Sequence, residues 1–165
     1  KSVFFFFWED GTTFYYEISN DGIYRKGVRY LKDKKISFDK KRLVLPKPVK
    51  LDKKWSNDSK TFLILRRYPY YDYKATTNFE INYEITSVNQ SIKTPYGIFN
   101  DCILVEGVGQ TNFIGDSEIG SIGIKIKSQE WYSRKIGLVK MIREEATDTD
   151  LFGTTRMIQL LEKYE

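Results

Sequence analysis

Two carboxylate pairs, Glu144-Glu145 and Asp148-x-Asp150, have the spacing in this chain that comes nearest to working chemistry. Paired carboxylates can divide acid and base roles in glycoside hydrolysis or hold a cation. Here they lie between two strand-like runs. The second pair lacks the glycine and the closing glutamate of an EF-hand loop, so an acidic, solvated hairpin is the expected reading. Gly107-x-Gly109 and the glycines between 115 and 123 precede β-like sequence instead of a phosphate-cradling helix, and they read as turns and a bend. Cys102 stands beside Ile103-Leu104-Val105 with no neighbouring base to stabilise a thiolate. A small buried apolar side chain is expected there.

The residue counts remove most other chemistry. The 165 residues include no His and a single Cys, so a His-based triad, a His metal cage, a Cys-His dyad, a multi-Cys zinc site and an internal disulfide are all excluded within the chain. No catalytic residue, metal or cofactor is expected. Cysteine poverty suits an oxidising compartment and the cytosol equally.

Charge is the next signal. Residues 25–54 carry 13 basic and 3 acidic side chains within a chain of net charge +5. Such density favours contact with anionic lipid, a polyanion or an acidic protein face. The same half holds the aromatics Tyr24, Tyr30, Trp55, Tyr68, Tyr70, Tyr71 and Tyr73, which look exposed and could stack on single-stranded nucleic acid. No nucleic-acid-binding motif accompanies them, so solubility and protection of sheet edges are the favoured explanation. Lys34, Lys35, Lys40, Lys41 and Arg42 are the candidate docking residues, expected on the outer face and edge of a sheet.

The elements that must position these residues are strands. Phe79, Ile81, Tyr83 and Ile85 alternate with Glu80, Asn82 and Glu84, as a half-buried strand requires. Ile122, Ile124 and Ile126 alternate likewise, and 129–133 follows so closely that a hairpin is expected between them. Asp10-Gly11 and Asn20-Asp21-Gly22 separate three aromatic-rich runs and predict a meander. Turn signals recur about every ten residues, a rhythm of antiparallel sheets. Residues 46–58, 69–77 and 115–120 read as irregular, with Trp55 plugging one end of the sheet. Helical periodicity is confined to one turn at 96–101 and the tail after Met157, where the apolar cluster would serve equally as a strand. Residues 94–102 are expected to turn with Ile98 and Phe99 inward and Cys102 opening a buried strand. With 41% hydrophobic and 16% aromatic residues, a single all-β domain over 1–165 is expected, an antiparallel sheet curled into a half-barrel or open barrel with at most one or two short helices. The start at Lys1, directly in strand-like sequence, is read as loss of an N-terminal segment, with a signal peptide as one candidate.

Three segments carry a resemblance. Leu45-Pro46-Lys47-Pro48 with Trp55 following, then Thr94-Pro95-Tyr96-Gly97-Ile98-Phe99-Asn100-Asp101-Cys102, then Trp131-Tyr132 with Gly137-Leu138-Val139-Lys140 resemble, in order and spacing, a group of small bacterial exported proteins and lipoproteins of unknown function. Asp52 and Lys135 stand where that group usually has glycine. The resemblance implies a curled antiparallel sheet, broadly like the lipoprotein-carrier half-barrel of LolA and LolB. It also implies an exported protein of the periplasm or cell envelope, with a lipid anchor as one option. It supplies no catalytic residues, and fold analogy does not give function.

Three functions remain open on this reading. One is a non-enzymatic envelope protein binding a lipid-like ligand or a protein segment on its concave face, with Phe5, Phe7, Tyr15, Phe79, Ile81, Tyr83, Ile85 and Trp131 as candidate lining. Another is a structural subunit of a larger envelope assembly, docking through its basic N-terminal strands on a protein partner or an anionic membrane surface. The third is a polyanion-binding module.

Overall fold

In the computed structural model the described residues are 2–67, 71–115, 117, 120–134 and 136–164. Among them are twelve strands and no helix, every paired strand antiparallel. The chain divides into two compact units, residues 1–53 and 54–165.

The first unit is a four-stranded meander of β1 (Ser2–Phe7), β2 (Thr13–Ile18), β3 (Gly22–Arg29) and β4 (Ser37–Pro46). Its first turn is the expected one: Gly11 takes a φ of 79°, which a residue without Cβ adopts freely, and Trp8 and Thr12 close the hairpin by a backbone bond of 2.8 Å. Asp10 Oδ1 accepts the Thr12 amide at 2.8 Å. The second turn closes through Ser19 N–H to Gly22 O at 2.8 Å. β4 runs without a break as an edge strand.

The second unit is a six-stranded sheet in the order β12-β11-β10-β9-β8-β5, plus a two-stranded hairpin, β6 (Leu63–Arg67) with β7 (Tyr71–Ala75). Its strands are β5 (Lys54–Lys60), β8 (Asn78–Lys93), β9 (Ile98–Ile114), β10 (Ser121–Ser133), β11 (Gly137–Thr147) and β12 (Thr154–Leu160). Neither large sheet closes into a barrel, since β12 and β5 remain edges of one and β1 and β4 of the other.

Several expectations change here. The hairpin expected at 122–133 is one strand, β10, because Lys127 and Ser128 continue the ladder opposite Val108 and Gly107. Residues 54–60 form β5 instead of a loop, and Trp55 stacks on Tyr83 at 5.5 Å within it instead of plugging an end. Residues 71–75 also pair. The helical turn at 96–101 is replaced by a tight turn, Thr94 N–H to Gly97 O at 2.8 Å, leading straight into β9. After Met157 the strand reading holds as far as Leu160, and 161–164 have no regular structure.

The sheet's own bonds show how strongly it curls. Trp55, Tyr83, Gly107, Ser128 and Arg143 are register partners across β5, β8, β9, β10 and β11; Asn57, Ile81, Gly109, Ile126 and Glu145 form the adjacent row. On a flat sheet β5 and β11 would stand about 19 Å apart, four steps of about 4.8 Å, beyond the reach of an Arg side chain. Yet Arg143 Nη2 donates to Lys60 O at 2.7 Å, and its guanidinium lies 5.6 Å from the Phe79 ring. The sheet therefore bends until opposite strands meet.

The bend encloses Phe79, Ile81, Tyr83, Ile85, Val105, Ile122, Ile124 and Ile126, all buried. Each such side chain contributes roughly 1.5 to 3 kcal/mol relative to exposure. Gly107 and Gly109 are what let the rings lie flat there. A Cβ at either would come within 2.7 Å of Tyr83 or 2.6 Å of Phe79, so these glycines are mid-strand clearances, not turns. A separate cluster of Ile92, Phe99, Cys102, Trp131 and Val139 lies towards the 94–97 turn, with Leu161 packed against it.

Candidate functional site

The basic residues of the first unit separate into two kinds. Arg25 on β3 is a bound cation: its Nε donates to Asp39 Oδ2 at 2.5 Å and its Nη2 to Asp39 Oδ1 at 3.0 Å, while the guanidinium lies 5.3 Å from the Phe14 ring. Burial pulls its pKa down, but the hydrogen bond and charge of Asp39 outweigh that and leave it raised. Lys32, Lys34, Lys35 and Lys40 are exposed, and no ion pair among the described residues ties them down. Arg42 is half-buried and has an interaction partner. The Lys41 side chain lies outside those described.

The aromatics expected to be exposed also divide. Tyr30 is 54% exposed, whereas Tyr24 is buried and donates its hydroxyl to Asp21 Oδ2 at 2.7 Å. That bond, with burial and the charge of Asp21, raises the phenol pKa. Tyr68 and Tyr70 lie outside the described residues, as do the side chains of Tyr71 and Tyr73.

Of the candidate lining residues, Phe79, Ile81, Tyr83 and Ile85 share the inward phase of β8 and are buried by the chain itself. Trp131 is buried in the other cluster, where Lys140 Nζ lies 4.8 Å from its ring and Nε1 finds no acceptor among the described residues. Tyr15 is half-buried on β2. The side chains of Phe5 and Phe7 are outside those described, although Phe4 stacks on Tyr16 at 5.2 Å. The structure brings the four β8 residues together and leaves Trp131 in a different cluster.

The acidic hairpin expected at 144–150 is only partly solvated. Glu145 is 3% exposed and Arg143 8%. Arg143 Nε donates to Glu145 Oε1 at 2.9 Å, Nη1 to Ser59 Oγ at 3.3 Å and Nη2 to Lys60 O; Glu145 Oε2 accepts the Phe62 amide at 2.9 Å. Below this pair, Thr61 Oγ1 donates to Ala75 O at 2.7 Å and accepts the Thr77 amide at 2.9 Å, closing the base of the β6–β7 hairpin. With its bonds directed at backbone and an Arg, Glu145 is placed as a structural anion. Sequence reasoning missed Arg143, and the available signal was its position two residues from Glu145 in phase with Val139 on the same strand.

An open cleft of about 620 Å³ lies where β9, β10 and β11 meet, with Gln110, Thr111, Asn112, Lys125 and Asp148 among its lining. Asp148 Oδ1 accepts the Gly123 amide at 2.9 Å, so its carboxylate organises the cleft wall. Among the described residues no group of three or more Cys, Asp or Glu is arranged to hold a metal ion.

Cys102 is fully buried, its Sγ 3.7 Å from Phe99 O, and burial, then the charge of Asp101, pushes the thiol pKa up. Phe99 points inward as expected. Ile98 does not: it is 67% exposed. Asp101, at a φ of 57°, falls where the β8–β9 register shifts, and the alternation on either side of it is out of step. Among known proteins, no family model, curated protein or solved structure matches the chain.

Proposed function

We propose that the chain is a non-enzymatic cell-envelope protein that acts by docking, its N-terminal sheet presenting cations to an anionic surface of an envelope assembly or membrane. The observation that carries this reading is the exposure of Lys32, Lys34, Lys35 and Lys40 without ion-pair partners among the described residues, while Arg25 beside them is fully engaged. Cations held for structure acquire acids; these have not. The envelope location rests on the three-segment resemblance, whose curled antiparallel architecture accords with the fold. Of the four carboxylates that might have done chemistry, Glu145 and Asp148 accept backbone amides.

The competing expectation, an apolar ligand or protein segment on the curled sheet, has less support, because Phe79, Ile81, Tyr83 and Ile85 are already covered by the chain. Docking is therefore the better reading. Sedimentation with isolated bacterial envelopes tests it. The purified chain should co-sediment at low salt and be released as salt rises over the range that shortens the Debye length. The variant K34E/K35E/K40E should remain in the supernatant with its circular dichroism spectrum unchanged. Equal sedimentation of the two proteins, or none by either, would overturn the docking reading.

A further inference from the structure

The end of the N-terminal sheet where β3 passes to β4 exposes more than charge. Residues 30–36 connect these strands, turning through Asp33 N–H to Tyr30 O at 2.9 Å. Leu31 is 72% exposed, Tyr30 54% and, at the start of β4, Phe38 80%. Phe38 stands opposite Gly27, and Thr13 opposite Arg29, so the Gly11 turn belongs to the same end. A Cβ at Gly11 would lie 2.7 Å from Leu31 Cδ1, which places the two turns in contact. Around these three apolar side chains stand the exposed cations Arg29, Lys32, Lys34, Lys35 and Lys40, against the exposed acids Glu9, Asp10 and Asp33.

An acidic protein face would be matched by the lysines alone, and it would leave three large apolar side chains needing pockets on the partner. A bilayer meets both needs at once. Tyr, Leu and Phe enter the headgroup and acyl boundary while Lys remains among anionic headgroups, and neither requires a preformed pocket. We infer that this end of the N-terminal sheet docks on an anionic lipid bilayer, with Tyr30, Leu31 and Phe38 entering the interface and Lys32, Lys34, Lys35 and Lys40 holding the headgroups. The inference rests on the docking reading and names its partner.

Vesicles of phosphatidylcholine with and without phosphatidylglycerol test it by co-sedimentation. The wild-type chain should bind the anionic vesicles and not the neutral ones. L31S/F38S, which alters only highly exposed side chains, should retain the wild-type circular dichroism spectrum and lose binding on the order of 100-fold, about tenfold for each apolar group withdrawn from the interface. K34E/K35E/K40E should lose at least as much, about fivefold for each cation removed. Wild-type affinity in L31S/F38S would overturn the inference by showing attraction through charge alone. Failure of the wild-type chain to bind anionic vesicles would also overturn it. If that chain still sedimented with isolated envelopes, the docking reading would stand with an acidic protein as partner; if it bound neither, both would fall.

Discussion

The side chains of Arg25 and Asp39 in the N-terminal sheet remain 23% and 21% exposed, whereas those of Arg143 and Glu145 in the C-terminal sheet are 9% and 4% exposed. The first pair joins neighbouring strands and stays partly hydrated, which limits its value to about 1 kcal/mol or less. The second reaches from β11 to the far edge of its sheet and is bonded to Ser59, Lys60 and Phe62. A charge taken from water must have its donors and acceptors met, or it destabilises the site that holds it. The units differ in composition to match. Residues 1–53 carry 13 basic and 7 acidic side chains, and residues 54–165 carry 14 and 15. In the C-terminal unit a charge pair braces the curl. In the N-terminal unit, Lys32, Lys34, Lys35 and Lys40 remain at the surface.

The largest break in this comparison should come from Arg143→Ala, which leaves Glu145 buried without its counter-ion. A loss of about 3 to 5 kcal/mol in urea unfolding is expected. A loss below that of an exposed pair would mean that Arg143 does not brace the sheet. Next should come Gly109→Val. Its Cβ would meet the Phe79 ring at 2.6 Å, and overpacking should outweigh the gain in β-propensity, for a net loss of about 2 kcal/mol. An unchanged unfolding midpoint would show that the Phe79 ring can move aside.

Cys102→Ser should cost about 1 to 2 kcal/mol, since a hydroxyl replaces a thiol in an apolar site, and the native thiol should react slowly with a thiol reagent. Cys102 also predicts a pH effect. Its pKa is raised in the folded chain, so its contribution is fully present below the ordinary thiol value of 9.0 and is lost as pH rises through the folded value. The stability difference between the wild-type chain and Cys102→Ala should therefore shrink in alkali, and a constant difference would argue against burial of the thiol. The smallest effect should be that of Asp39→Asn, about 1 kcal/mol or less in the same unfolding assay. A loss as large as that of Arg143→Ala would erase the distinction between the two pairs.

Where apolar residues alternate on a strand with one wet face, the sequence shows the fold directly. Phe79, Ile81, Tyr83 and Ile85 reveal β8, and Asp10-Gly11 reveals the first hairpin. β5 was illegible because, apart from Trp55, Lys-Trp-Ser-Asn-Asp-Ser-Lys is polar on both faces, as an edge strand tolerates; only its pairing with β8 makes it a strand. Ile98 and Phe99 illustrate a different limit. Alternation tells which neighbours oppose each other, but the irregular register beyond Asp101 decides which one faces inward. Arg143 was hidden because a charged side chain on a strand normally signals solvent, and only the curl brings Lys60, Phe62 and Phe79 within its reach. The docking candidates were legible as a basic tract. The separation of that tract into the engaged Arg25 and the exposed Lys32, Lys34, Lys35 and Lys40 required knowing where Asp39 lies.

The central claim, that the C-terminal sheet curls until β11 meets β5 and holds its buried charge there, is tested most directly by nuclear Overhauser contacts from the Arg143 Nε proton in the isotopically labelled chain. With the guanidinium 5.0 Å from the Phe62 ring and 5.6 Å from the Phe79 ring, cross-peaks to the protons of both rings are expected. A flat sheet would hold β8 and β11 about 14 Å apart, three strand spacings, and the absence of both cross-peaks in a well-resolved spectrum would contradict the curl.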